Sequence, residues 1–343
     1  MASSEPRDLE QVVRDGLSTL VFGFGYRVGI VDGFIKIKQP CTAEELAQKV
    51  GMKRRYIEEW LSCLAAAGIV RVHDGDRFSL PYDEAKLRLQ GHVAGALPTL
   101  SESMPLLEQV IRTDGPRGYK YTEPFLKFVE GFSTPASIEN WVKASLVPVL
   151  QLKERDQFTL LDLGCGYGNH ARRVAQVYPK SSVYGVDMDK ISIDRANEGT
   201  QKDGLKNVQF LCNVGGNLPA DWTEKFDFVI INQVLHDAPG VDAILKEVKR
   251  VIKSDGFGAA YDPPVSSYPK NQVNHKWAQQ ALPFSFFSCL PMSLSDPSET
   301  GDGLGVGWGY ENRKAKIEQH GFHVVPCGDI DIDTVQDRIV FKK

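Results

Sequence analysis

Apolar residues begin to recur at helical spacing near the start of the chain. Val13, Leu17 and Leu20 fall four and three positions apart, with Val12 and Val21 beside them, the period of one helix face. The pattern predicts helix over residues 9–51, although the run Phe22-Gly23-Phe24-Gly25-Tyr26-Arg27-Val28-Gly29-Ile30 carries glycines that weaken it. That run reads either as a helix packed closely through small residues or as a surface facing a ligand or a second subunit. Thr42 followed by Glu45 is a capping box. A further helix from Lys53 presents Tyr56, Ile57, Trp60, Leu61 and Leu64 and stops at Gly68. Two short runs, Ile69–Val72 and Arg77–Leu80, flank Asp74-Gly75-Asp76 and predict a hairpin. Helix, turn, helix and two-stranded wing together predict a winged helix in an α-rich domain of residues 1–90.

Residues 91–150 read as a helical connector interrupted at Pro98, Pro105, Pro116, Pro124 and Pro135. From Phe158 the periodicity changes. Strands are predicted at Thr159–Leu163, Ser182–Val186, Val208–Leu211, Phe226–Asn232, Gly256–Tyr261, Val324–Cys327 and Arg338–Lys342. Helices are predicted at Asn169–Tyr178, Ile191–Asp203, Val241–Ile252 and Glu311–Gly321. Strands alternating with helices imply an α/β domain, here residues 151–343, with a largely parallel sheet covered on both faces. The last two strands lack a helix between them and are expected as an antiparallel hairpin at one side.

Composition narrows the partners. The chain has 343 residues, 42% hydrophobic and 24% charged, with a formal net charge of -4. No basic field for nucleic acid or anionic lipid is present. Cys41, Cys63, Cys165, Cys212, Cys289 and Cys327 are scattered, which fits reduced thiols in the cytoplasm rather than a disulfide framework. No Cys/His spacing points to a metal. The longest apolar stretch, Leu20 to Ile37, is broken by Arg27, Asp32 and Lys36, so no membrane span is expected.

The strongest chemical signal is Leu160-Leu161-Asp162-Leu163-Gly164-Cys165-Gly166-Tyr167-Gly168, an apolar strand running into glycines and then a helix. Glycines let a backbone turn sharply and approach a ligand closely. No Gly-Lys-Ser/Thr follows, so a phosphate-binding P-loop is excluded. The next strand ends at Asp187, about 20 residues beyond the loop, where a carboxylate accepts both hydroxyls of a ribose. Met188 is placed to lie on a purine face. Asn213, with Val214 after it, is placed at an adenine edge. Asn232 ends the fourth strand.

Together these residues resemble the class I S-adenosylmethionine (SAM)-dependent methyltransferases, whose fold is a Rossmann-like seven-stranded sheet. Asp162, Gly164, Gly166 and Gly168 look like the family's first motif and Asp187 like its ribose-binding acid. Lys253-Ser254-Asp255-Gly256 is similar to its usual Lys-Pro-Gly-Gly turn. Asn213 departs from the Asp that the family more often carries. The resemblance implies SAM as cofactor, bound by Asp162, Gly164, Cys165, Gly166, Gly168, Asp187, Met188, Asn213, Val214 and Asn232.

The segment Thr42–Gly68 resembles the N-terminal domain of small-molecule O-methyltransferases of plants and of the acetylserotonin type, where it mediates dimerisation. The stretches His275-Lys276-Trp277, Ser288–Leu294 and Gly301–Gly309 resemble a bacterial and invertebrate subfamily with unsettled substrates. The resemblance implies a homodimer acting on a small molecule, oxygen before nitrogen, with the connector contributing to the substrate pocket. His236 falls where the plant enzymes carry their catalytic base, and Asp262 where they carry a flanking Glu. An imidazole suits proton removal near neutral pH, and a carboxylate orients it. Asp237 reads alternatively as a cap of the following helix. Asp262-Pro263-Pro264-Val265 looks like an adenine-N6 methyltransferase motif but follows the fifth strand rather than the fourth. Two other functions compete: a DNA-binding regulator that responds to SAM, and a catalytically idle dimer partner. Residues 1–100 carry 13 basic and 13 acidic residues, which argues against the regulator.

Overall fold

The computed structural model describes residues 6–146, 157–296, 301, 303–325 and 337–343. The chain divides into two compact units: residues 1–102 with 123–131, and residues 103–122 with 132–343.

In the first unit the long helix Leu9–Arg27 ends where Gly29 turns left-handed, and Ile30–Ile37 follows. Gly23 and Gly25 are buried. A Cβ at Gly23 would meet the Ala94 carbonyl oxygen at 2.4 Å, and one at Gly25 the indole of Trp60 at 2.4 Å. Close packing through small residues is therefore what this run provides, while Phe24 between them points outward, 58% exposed. The capping box at Ala43–Val50 forms, with Thr42 Oγ1 accepting from the Glu45 amide and a Glu45 carboxylate oxygen accepting from the Thr42 amide. Arg54–Ala66 buries Ile57, Trp60, Leu61 and Leu64. The wing is β2 (Arg71–His73) against β3 (Arg77–Ser79), and β3 also pairs with a short β1 (Cys41–Thr42) that the apolar pattern did not announce.

The connector is broken as expected around Pro116, where residues 111–122 are not helical, but not at its first two prolines. Leu97–Val110 runs through both Pro98 and Pro105. Pro98 sits in the first turn, where its missing N–H has no helical partner to lose, whereas Pro105 forgoes one backbone bond. Pro135 starts the helix Pro135–Asn140.

The second unit is built on a sheet whose described strands are β4 (Thr159–Leu163), β5 (Ser182–Asp187), β6 (Val208–Cys212), β7 (Phe226–Asn232), β8 (Ile252–Asp262), β9 (His323–Val325) and β10 (Asp337–Lys342). Their order is β6-β5-β4-β7-β8-β10-β9, parallel except that β10 runs antiparallel to both neighbours. This is the class I methyltransferase topology, with the expected terminal hairpin. Pro326 and Cys327, the end of one expected strand, lie outside the described residues. The residues Lys253–Gly256, expected as a turn, lie within β8, where the pairing with β7 jumps from Phe226–Ile252 to Phe228–Phe257; the extra residues are absorbed as a bulge.

Alternation along the central strands divides the core. Leu161, Leu163, Val229 and Ile231 face one layer with Ile244, Leu245 and Val248 of the helix Val241–Val251. Leu160, Phe228 and Ile230 face the other with Ala171, Val174 and Ala175 of the helix Asn169–Val177. Strands buried on both faces require such unbroken apolar runs. Each fully buried Leu or Ile contributes about 1.5–3 kcal/mol. Among the described residues no helix is long and apolar enough to cross a membrane.

Candidate active site

The parallel strands end on one edge, and there the glycine loop leaves β4. Gly164, Gly166 and Gly168 all have positive φ, +76°, +52° and +69°. The amides of Gly164 and Cys165 donate to the Val186 carbonyl at 2.7 and 3.0 Å, folding the loop over the end of β5. A Cβ at Gly164 would strike Val234 at 2.2 Å, whereas Gly166 faces open space. The loop is thus fixed on its inner side and free on its outer side to lie against a ligand.

Asp187 ends β5 as expected. One carboxylate oxygen accepts from the Gly166 amide at 2.8 Å and the other from the Asp189 amide at 2.9 Å. Each oxygen keeps a lone pair for a further donor. Burial raises its pKa. Asp162 lies beneath, and burial, then the negative charge of Asp187, pushes its carboxyl up to about 7. Cys165 is buried and its thiol is pushed well up by that burial. Met188 and Val214 are left exposed beside the strand ends. The Asn213 amide is held within its own loop, donating to the Asn217 carbonyl at 2.9 Å and accepting from the Val214 amide at 2.8 Å. Asn232 ends β7, half-buried. Exposed apolar groups beside a carboxylate with spare lone pairs fit a nucleoside carrying a vicinal diol.

After β7 the chain turns through Gln233, which adopts a left-handed φ of +58° and donates its amide to the Tyr261 carbonyl at 2.7 Å. A non-glycine residue there is strained and marks a site held by its surroundings. The turn delivers His236 against the end of β8, where its Nδ1 is hydrogen-bonded to the Asp262 carboxylate. Both side chains are buried. The other Asp262 oxygen lies 3.4 Å from Nε of Arg313, and Arg313 pairs with Asp337 as well. His236 Nε2 lies 3.8 Å from an Asp237 oxygen, and Asp237 accepts a hydrogen bond from the Tyr121 hydroxyl. Asp237 does not cap the next helix; Gly240 occupies that position. Burial works to lower the His236 pKa, but the Asp237 charge, the Cys289 sulfur and the Asp262 hydrogen bond hold it well above the ordinary value. Burial raises Asp237 to about 6, His236 and Tyr121 opposing it.

Sequence reasoning missed Tyr121, Cys289, Arg313 and Asp337. Arg313 had a signal: it sits between Gly309 and Ile317 on the buried stripe of Gly309–Gln319, where a cation needs a buried partner. Of the other histidines, His275 caps Lys276–Phe284, and His320 closes Gly309–Gln319 beside Asp242. Part of the glycine-rich run is ordered against Ser285, whose hydroxyl accepts from the Val306 amide at 2.8 Å; Asp302 lies outside the described residues. In the winged helix, Arg54 and Arg55 are ion-paired with Glu58 and Glu59 one turn on.

Residues 154–283 match the Methyltransferase domain family, and residues 16–88 match the Rv2258c-like winged HTH domain. A malonyl-[acyl-carrier protein] O-methyltransferase of Legionella pneumophila is 26% identical over 135 residues, 39% of this chain and 46% of that protein. The chain spans less than half the length of the first curated relatives it matches. An O-methyltransferase candidate from Nostoc punctiforme superposes with a TM-score of 0.71 at 16% identity, covering 99% of this chain and 100% of the other. The O-methyltransferase NcsB1 of neocarzinostatin biosynthesis, solved with SAM and 2-hydroxy-5-methyl naphthoic acid, superposes with a TM-score of 0.63 at 16% identity over 99% of both chains. Likeness at this identity establishes the fold, a class I methyltransferase domain preceded by a winged HTH domain.

Proposed function

From a methyltransferase domain joined to a winged HTH domain, we propose that this chain is a SAM-dependent methyltransferase that methylates a hydroxyl of a small, partly apolar molecule. The observation that carries the reading is the buried pair of His236 and Asp262 on the strand edge that also carries the glycine loop, the edge where open α/β sheets bind ligands. SAM, when bound, supplies a methyl group on a sulfonium that leaves as a neutral thioether. The chain's own residues then have two tasks, to hold the partners in line and to remove a proton.

Asp187 accepts the ribose hydroxyls with its spare lone pairs, while Met188 and Val214 cover the base. Asn213 and Asn232 border that site, and Asp162 with the loop Gly164-Cys165-Gly166-Tyr167-Gly168 shapes its floor. Asp262 holds the Nδ1 proton of His236, so that Nε2 presents its lone pair to an acceptor hydroxyl. Once that proton arrives, Asp262 and Asp237 stabilise the imidazolium. The connector lends Tyr121, which holds Asp237. A hydroxyl rather than an amine is favoured because it must lose its proton to become a good nucleophile, and the site is arranged around a base. A phenol-like acceptor of the kind bound by NcsB1 suits this chemistry.

The winged helix is read as a dimer element. Leu9, Val13, Leu17, Leu20 and Phe24 form an exposed apolar stripe on the first helix, with the spacing of a helix seam, and a second copy of this chain is its occupant. The ion pairs of Arg54 and Arg55 leave the second helix poorly suited to phosphates. A cytoplasmic setting fits the free thiols of Cys41, Cys63, Cys165, Cys212 and Cys289. The test is calorimetric titration with SAM, with Asp187→Ala as the control. Saturable binding weakened in the variant supports the reading, and a wild-type chain that does not bind SAM overturns it.

A further inference from the structure

The face of the His236 ring away from Asp262 is shared by two more ligating side chains. A ring nitrogen of His236, an Asp237 oxygen and Cys289 Sγ all lie within 4.8 Å of one another; Nδ1 is engaged by Asp262, which leaves Nε2, 3.8 Å from Asp237, as the donor. His236 and Cys289 are buried and Asp237 half-buried. A base needs an imidazole and a carboxylate to orient it; it has no use for a thiol. Cys289 is delivered by the π-helical turn Ser285–Cys289, a rare geometry found mostly at functional sites. One nitrogen, one sulfur and one oxygen donor suit a borderline-soft ion such as Zn2+. Magnesium and calcium select all-oxygen sets.

The outer partners of such a site are also in place. A metal-ligating histidine donates its other ring N–H to a carboxylate, and ligating carboxylates are themselves hydrogen-bonded. Asp262 holds His236 in this way, and the Tyr121 hydroxyl holds Asp237. Tetrahedral bonds of about 2.0–2.3 Å separate ligand atoms by roughly 3.5 Å. The present span of 4.8 Å therefore closes with a shift of about 1 Å, within reach of rotation at Asp237 and Cys289.

We propose that His236, Asp237 and Cys289 form a binding site for a thiophilic divalent cation of the Zn2+ class. Three protein ligands leave a fourth position open. An ion on Nε2 occupies the lone pair that proton removal needs, so the occupied chain retains SAM but stops turning over. That consequence rests on the function proposed above; the site itself does not.

Titration of the metal-free full-length chain with Co2+, followed by displacement with Zn2+, tests the site by absorption spectroscopy. The expected result is one Co2+ per chain, with a sulfur-to-cobalt charge-transfer band that Zn2+ abolishes. Cys289→Ser loses the band, and the double variant Cys63→Ser/Cys212→Ser, which removes the exposed thiols among the described residues, keeps it. Asp262→Asn weakens Co2+ affinity by roughly 10- to 100-fold, as loss of such outer partners does. Absence of the band in the wild-type chain, its persistence in Cys289→Ser or its loss in the double variant overturns the proposal. SAM calorimetry on the same samples separates the two readings. SAM binding without the cobalt band removes the metal site alone, and the band without SAM binding removes the methyltransferase reading alone.

Discussion

His236 and Asp262 stand 26 residues apart in the chain and meet at the ends of adjacent parallel strands, the imidazole Nδ1 on the carboxylate. The contact fixes the ring's orientation and tautomer, so Nε2 carries the lone pair. His236→Ala should keep SAM affinity and lose turnover by roughly 10²- to 10⁴-fold, the usual contribution of a positioned base. Steady-state rates and calorimetry on one preparation check both halves.

The sign of the pH dependence follows from the same contacts. A base acts in its neutral form, and the Asp237 charge and the Asp262 hydrogen bond hold the His236 proton well above the ordinary range against the effect of burial. The acid limb of kcat/KM should have its midpoint above about 6.5, the ordinary imidazole value. Replacing Asp262 with Asn removes a bond that favours the charged ring, so the limb should move to lower pH while the rate falls. A limb that stays in place would separate it from His236.

Arg313, barely exposed to solvent, neutralises Asp262 and Asp337 together. Arg313→Met takes the buried cation from Asp337 and leaves Asp262 with His236 alone, and should cost about 3–5 kcal/mol of stability at neutral pH. Burial already raises Asp337 to about 7. Arg313 opposes that rise, so without it Asp337 holds its proton to still higher pH; protonation relieves the variant, and its deficit in denaturant melts should shrink as pH falls toward 7 and level off below it.

Asp162 reports on stability in the opposite sense to an ordinary surface carboxylate. Its folded pKa of about 7 lies above the reference of 3.8, so the folded chain binds the proton more tightly and stability falls as pH rises between those values. Asp162→Asn removes that slope. Its stability relative to the wild type should rise across the window, by up to about 4 kcal/mol at pH 8, and chemical denaturation at a series of pH values measures it.

Much of this architecture is legible locally. Thr159–Leu163 and Phe226–Asn232 are bounded as their apolar runs predict, and His236 and Asp262 are marked by their position at strand ends. The partners are less legible because they arrive from far away. Tyr121 reaches Asp237 across 116 residues, and nothing near either residue records the meeting. Asp237 shows the hazard directly: its local pattern suits a helix cap, but the left-handed turn at Gln233 redirects the chain and leaves capping to Gly240. The prolines of Leu97–Val110 mislead for the converse reason, because helix breaking depends on position within the helix.

Methyl transfer itself tests the account most directly. Isotopically labelled SAM is incubated with a small-molecule extract and either the wild-type chain or His236→Ala, and the products are resolved by mass spectrometry. The expected result is a labelled, O-methylated small molecule from the wild type and its loss from the variant, although both bind SAM equally. No labelled product from the wild type, or equal product from His236→Ala, would contradict it.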